Sequence, residues 1–82
     1  MIFYLATPYT HHPRGPEAAH REALRLSRQL FGAGVPTFSP IVHSHPIADG
    51  MPGQFDHEMW MSFNDPFINA CDALLIAKAD GW

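Results

Sequence analysis

Residues 2–6, Ile2-Phe3-Tyr4-Leu5-Ala6, form an apolar run that stops at Thr7-Pro8. A short continuous apolar run closed by a turn signal is the pattern of a strand covered on both faces, as in a parallel sheet. Residues 7–15 then set two prolines and a glycine among polar side chains, so the backbone is expected to leave the sheet there as a loop.

From Pro16 the pattern becomes helical. Pro16 suits the first turn of a helix, where its missing N–H is no loss, and Glu17 favours the positive amino-terminal end. Ala19, Ala23, Leu26 and Leu30 recur at steps of four, three and four and make one apolar stripe, while His20, Arg21, Arg25 and Arg28 face elsewhere. Gly32 and Gly34 supply the stop.

Val35-Pro36-Thr37-Phe38 reads as a short strand, with its proline near the beginning, where a missing donor is tolerated. Residues 39–53 carry Pro40, Pro46, Gly50, Pro52 and Gly53, enough breakers to predict a long loop. Asp56 suits the cap of a second helix through Phe63 that presents Met59, Trp60 and Phe63 to the core. Asn64-Asp65-Pro66 is expected to interrupt that helix before a further turn over residues 67–70. Asp72-Ala73-Leu74-Leu75-Ile76-Ala77 is the third strand. Strand, helix, strand, helix, strand (βαβαβ), joined by right-handed crossovers, predicts a small α/β Rossmann-like three-layer fold. Its parallel sheet takes the strand order 2-1-3. The 82 residues can hold only one domain with a thin core.

Composition narrows the function. Apolar residues make up 46% and charged residues 16%, which excludes the disordered class and leaves a surface of uncharged side chains that tends to find partners. A net charge of -3 with only five Lys and Arg argues against a nucleic-acid polymer as partner. Arg21, Arg25 and Arg28 read as the solvated face of a helix rather than a phosphate patch. Cys71 is the single cysteine, so no internal disulfide can form. With no basic leader and no apolar stretch near the roughly 20 residues that span a bilayer, a soluble cytoplasmic protein without a membrane partner is expected.

In an open parallel sheet, ligands bind beyond the carboxyl ends of the strands, so the three following loops should converge. They carry Thr7, Tyr9, Thr10, His11 and His12, then Ser39, His43, Ser44 and His45, then Lys78 and Asp80. The first loop lacks G-x-G-x-x-G spacing, so a dinucleotide cofactor is not expected. Tyr9 is suited to stack on a base or sugar while hydrogen bonding a hydroxyl, and equally suited to pack its own loop. His43 and His45 would share one side of an extended chain, and Asp56 and His57 could add metal ligands. There is no cysteine cluster and no His-Glu-x-x-His spacing, which favours loop ordering or substrate hydrogen bonding over a metal.

Glycosidic cleavage generally uses two carboxyl groups, which gives the acidic residues a separate interest. Asp56 reads as a cap, Glu58 as a solvated first-turn residue and Asp72 as a polar strand start. Asp65, at the helix break before Pro66, is the best placed to project inward, with a local cap for residues 67–70 as the competing reading.

Several segments, taken in order, carry a family resemblance. They are Ala6-Thr7-Pro8-Tyr9-Thr10, Phe38-Ser39-Pro40-Ile41 with His43-Ser44-His45-Pro46, Trp60-Met61 followed by Asp65, and Cys71-Asp72 leading to Gly81-Trp82. Together they resemble a bacterial and phage branch of the nucleoside 2-deoxyribosyltransferase-like superfamily, over essentially the whole chain. The resemblance implies a Rossmann-like fold that cleaves or exchanges the N-glycosidic bond of nucleosides or nucleotides without a metal or redox cofactor. It also implies a glutamate nucleophile, an aspartate assisting the departing base and an aromatic residue in contact with substrate. By position, Asp65 looks like the catalytic aspartate and Tyr9 like the aromatic, with Thr7, His43 and His45 as further substrate-binding residues.

The resemblance places the nucleophilic glutamate in a Ser-x-Gly-x-x-x-Glu-like segment just beyond a Gly-Trp. Glu17, Glu22 and Glu58 do not occupy that position. Residues 1–82 are therefore expected to be either a truncated form of a longer enzyme or a remnant with a binding role. A noncatalytic nucleotide-binding module is the alternative function, and a metal hydrolase built on His43, His45 and His57 a weaker one. A three-stranded sheet with two helices leaves one face poorly covered and its edges open, so a homo-oligomer is expected, as in the resembled superfamily, where active sites are often completed across a dimer interface.

Overall fold

The computed structural model describes residues 1–51 and 57–82. Its elements run β1 (Phe3–Ala6), α1 (Gly15–Gly32), β2 (Thr37–Phe38), α2 (Pro40–Ala48), α3 (His57–Ala70) and β3 (Ala73–Ile76). The three strands form a parallel sheet in the order β2-β1-β3, as the apolar pattern predicts. Phe3 pairs with Thr37 on one side and Ala73 on the other, and Tyr4 with Phe38 and Leu74.

Helix α1 owes its start to a glycine and a proline rather than to a side-chain cap. Gly15 takes a φ of +89°, Pro16 sets the first turn, and Glu17 lies at the positive end. Its stripe buries Ala19 and Ala23 completely, with Leu26 and Leu30 half-buried behind them. Leu26 and Leu30 line a common depression with Leu5 and Leu75, so α1 covers the sheet face that carries Leu5. On the opposite face the Phe67 ring of α3 stacks on Phe38, with centroids 4.6 Å apart and planes 3° from parallel. The sheet is thus sandwiched between helices around β1 and β2. Further along that second face Leu74 is 50% exposed and Ile76 66%.

Two expectations about the chain after β2 are corrected. Residues 40–48 are a helix, not loop. Ser39 Oγ accepts the Val42 N–H at 3.2 Å, and Pro40 occupies the first turn, so the residues read as breakers form a capped helix start. Pro46 lies in the last turn and is exposed, which limits its disruption to one ladder bond.

The expected break at Asn64-Asp65-Pro66 is also absent, since α3 continues through Pro66 to Ala70. Phe63 and Phe67 flank the proline and pack together at 5.6 Å, which ties the turns before and after it to the same surface. Phe63 nevertheless remains 43% exposed and Met59 52%, so α3 does not bury the face expected of it. Asp56, read as the cap of this helix, lies outside the described residues.

Candidate functional site

The carboxyl ends of all three strands lie at one edge of the sheet, and the chain segments leaving them meet there. The Ala77 N–H bonds the Ala6 carbonyl at 3.0 Å, carrying the last segment alongside the first. Gly81 then passes so close to His11 and His12 that only a hydrogen fits on its α-carbon. Trp82 donates its indole N–H back to the Ala77 carbonyl at 3.1 Å.

Tyr9 and His45 join the loop after β1 to α2. The Tyr9 hydroxyl lies 2.8 Å from His45 Nδ1, and the other ring nitrogen, Nε2, lies 3.1 Å from Glu17 Oε1 at the start of α1. His20, one turn further along α1, stacks on the His45 ring with centroids 4.6 Å apart. The carboxylate can only accept, so Nε2 carries the proton that binds Glu17. In the neutral ring Nδ1 is then an acceptor, and Tyr9 donates to it.

A second histidine braces the same edge. His12 is buried, its Nδ1 accepts the Arg14 N–H at 3.1 Å, and its Nε2 lies 3.1 Å from Glu22 Oε2. The backbone donor fixes the proton on Nε2, which donates to the carboxylate. This loop is held by α1 at two levels, Glu17 through His45 and Glu22 through His12.

Burial pushes the Tyr9 phenol above its ordinary pKa, with Glu17 and Asp49 adding to the rise. Loss of its proton would create a partly desolvated anion near two carboxylates. Tyr4 is raised in the same way, first by burial and then by Cys71 and Asp65.

The residues singled out from the sequence distribute unequally. Thr7 is buried, and its Oγ1 has no hydrogen-bond partner among the described residues. The Ser44 hydroxyl, next to His45, is in the same condition. Buried hydroxyls normally find a partner, and Ser27 Oγ and Asn64 Oδ1 share this condition among the described residues, so the unpaired groups do not by themselves single out one place on the molecule.

His43 and His45 do not share a side. On a helix, residues two apart are turned by roughly 200° from each other. His43 stacks against Phe63 at 5.9 Å and lies near Phe38 and Phe67, whereas His45 faces Tyr9 and α1. The convergence predicted for an extended chain is thereby corrected. The His57 side chain lies outside the described residues, among which no group of three or more His, Cys, Asp or Glu is arranged to hold a metal ion. Asp65 is exposed on α3, where its charge acts on Tyr4.

Sequence reasoning missed Glu17 as more than a helix-end charge, and His20 as more than an outward-facing residue. The available signal was their spacing of three on the first turns of α1, which puts both side chains on one side.

Two surface depressions lie elsewhere. One of about 360 Å3, among Ile2, Phe31, Val35 and Phe38, sits near the amino end of the sheet, and one of about 340 Å3 runs between α1 and β3. Neither includes Tyr9 or His45, and the first is at the end of the sheet opposite to where parallel strands gather their ligands.

Together, fold and site define a small parallel α/β protein with a Tyr–His–Glu cluster at the carboxyl edge of its sheet. The chain belongs to the family described as a domain of unknown function, DUF1937, whose model matches residues 1–82. No curated protein and no solved structure matches it. No helix among the described residues is long and apolar enough to cross a membrane.

Proposed function

We propose that the protein binds a nucleoside or nucleotide at the junction of Thr7, Tyr9 and His45 and cleaves or exchanges its N-glycosidic bond. The observation that carries this reading is the Tyr9–His45 hydrogen bond, which holds a half-exposed phenol over the carboxyl edge of a parallel sheet. The reaction class comes from the resemblance to the nucleoside 2-deoxyribosyltransferase-like superfamily. The position of Tyr9 beyond the carboxyl end of β1, the central strand, supports the location.

In this reading the phenol ring lies against the sugar or base, and Thr7 bonds a hydroxyl of the ligand. His43, packed among Phe38, Phe63 and Phe67, is left outside the site, and Asp65 is given the role of assisting the departing base by the resemblance alone. Incubation with a panel of deoxynucleosides, ribonucleosides and their monophosphates, followed by chromatography for free base, tests the reaction. Base release that falls when Tyr9 is replaced by Phe is the expected result. Saturable nucleotide binding without release, unaffected by Asp65→Asn, would instead make the protein a binding module.

A further inference from the structure

We infer that Tyr9, His45 and Glu17 form a proton relay, in which a water or ligand hydroxyl at Tyr9 Oη is deprotonated by His45 through the phenol. The inference deepens the glycosidic reading and takes its reaction from it, but the relay itself stands on the geometry of three side chains.

Three features give the relay a direction. Glu17 can only accept, so His45 Nε2–H points outward to it at 3.1 Å, leaving Nδ1 as the acceptor that faces inward to Tyr9 at 2.8 Å. The Tyr9 proton is thereby committed to His45, and the lone pairs of Oη are left to accept from a bound O–H. The His45 side chain is 11% exposed and its ring is held between the Tyr9 edge and the His20 face. Its two nitrogens therefore stay aimed along the chain of bonds. Imidazole is the side chain suited to taking up a proton transiently near neutral pH.

The raised Tyr9 pKa is consistent with this arrangement. A phenol that resists ionisation passes a proton along without resting as phenolate. Glu17 touches no ligand; it is a positioning residue that fixes the His45 tautomer and steadies the imidazolium.

Applied to glycosidic hydrolysis, the step balances as follows. The water oxygen bonds the anomeric carbon while the carbon–nitrogen bond breaks and its electron pair leaves with the base. The water proton passes to Tyr9 Oη as the Tyr9 proton passes to His45 Nδ1. The base nitrogen, assisted by Asp65 as in the glycosidic reading, takes a proton from solvent, and His45 later returns one to solvent through Tyr9.

Nitrogen NMR of isotope-labelled imidazoles in the intact protein decides the relay without a substrate. The expected spectrum shows His45 as the Nε2–H tautomer, with an Nδ1 signal that moves in Tyr9→Phe and an Nε2 signal that moves in Glu17→Gln. His45 in the other tautomer, or signals indifferent to both substitutions, would overturn the relay. Its catalytic use is read from base release by the nucleoside panel in mixtures of light and heavy water. More than one proton in motion is expected, together with losses on the order of ten-fold or more in Tyr9→Phe. A single-proton dependence overturns the catalytic use, whereas a panel yielding no base defeats the glycosidic reading and leaves the relay to the NMR result.

Discussion

Gly81 lies against His11 so closely that a methyl group on its α-carbon would stand 2.8 Å from the His11 carbonyl oxygen, at a φ of +102°. The same methyl would stand 2.8 Å from the His12 α-carbon, so relief requires one of two backbones to move. Gly81→Ala is expected to destabilise the protein by about 1–3 kcal/mol, through strain and displacement of the loop after β1. Thermal unfolding measures the loss, and a midpoint equal to that of the parent would show that this approach is not tight.

Ser39 holds the start of α2, and through α2 the position of His45. Its replacement by Ala removes the Oγ that accepts from Val42 and should lower stability by about 1 kcal/mol. In a domain of this size that is a fall of roughly 4–8 °C in Tm. Ser39→Asp restores a capping acceptor and should recover most of it. Equal losses in both variants would remove the cap from the account.

Alkaline titration reads the two phenols directly, because Tyr4 and Tyr9 are the only tyrosines in the chain. Both are raised above their ordinary value by burial, so both should ionise later than tyrosine in the unfolded chain. A raised folded pKa means that the proton binds more tightly in the folded state. The resulting stability is whole below the unfolded value of about 10 and drains away as pH climbs through the folded value. Ultraviolet absorbance in native and denaturing solution should show this order, and Tyr9→Phe should leave one late step. Coincident curves would contradict it.

Phe67 ties α3 to the rest of the fold through its stack on Phe38 and its contact with His43. Phe67→Ala is expected to cost roughly 2–4 kcal/mol, below the figure for a fully buried ring. Hydrogen exchange should show that protection in α3 is lost before that of β1. Uniform loss across the chain would mean that α3 is integral to the global unit.

Leu74 and Ile76 present an apolar strip on an edge strand, the kind of surface that a second copy of the chain would cover. Light scattering is expected to give a mass above the 9.2 kDa of one chain, and Ile76→Glu to return it to that value. A folded monomer in the parent protein would count against association.

Residues with a strict local signature were legible. The apolar run at 2–6, the four-three-four stripe of α1 and the run at 72–77 each report their element, and their βαβαβ succession with right-handed crossovers gives the strand order. Residues 39–48 read as loop because Pro40 and Pro46 are breakers in most contexts, whereas the structure makes them a capped helix. Ser39-Pro40 is equally the signature of a cap followed by a first-turn proline, and only tertiary packing decides between them. Tyr9 and His45 were visible as polar residues on expected loops, but their mutual bond spans 36 positions and leaves no periodic trace. Glu17 and His20 were hidden in another way, since a charge and an imidazole on the first turns of a helix usually face water.

The central position of β1 bears on how the chain reaches this structure. Ile2 donates its N–H to Asp72 Oδ2 at 2.7 Å, across 70 positions of sequence, and every residue of β1 pairs with one of residues 73–76. β1 therefore gains its second neighbour only when residues some 70 positions later in the chain have been made. Such high contact order favours slow collapse over stepwise growth on the ribosome, and leaves residues 2–6 sticky in the meantime.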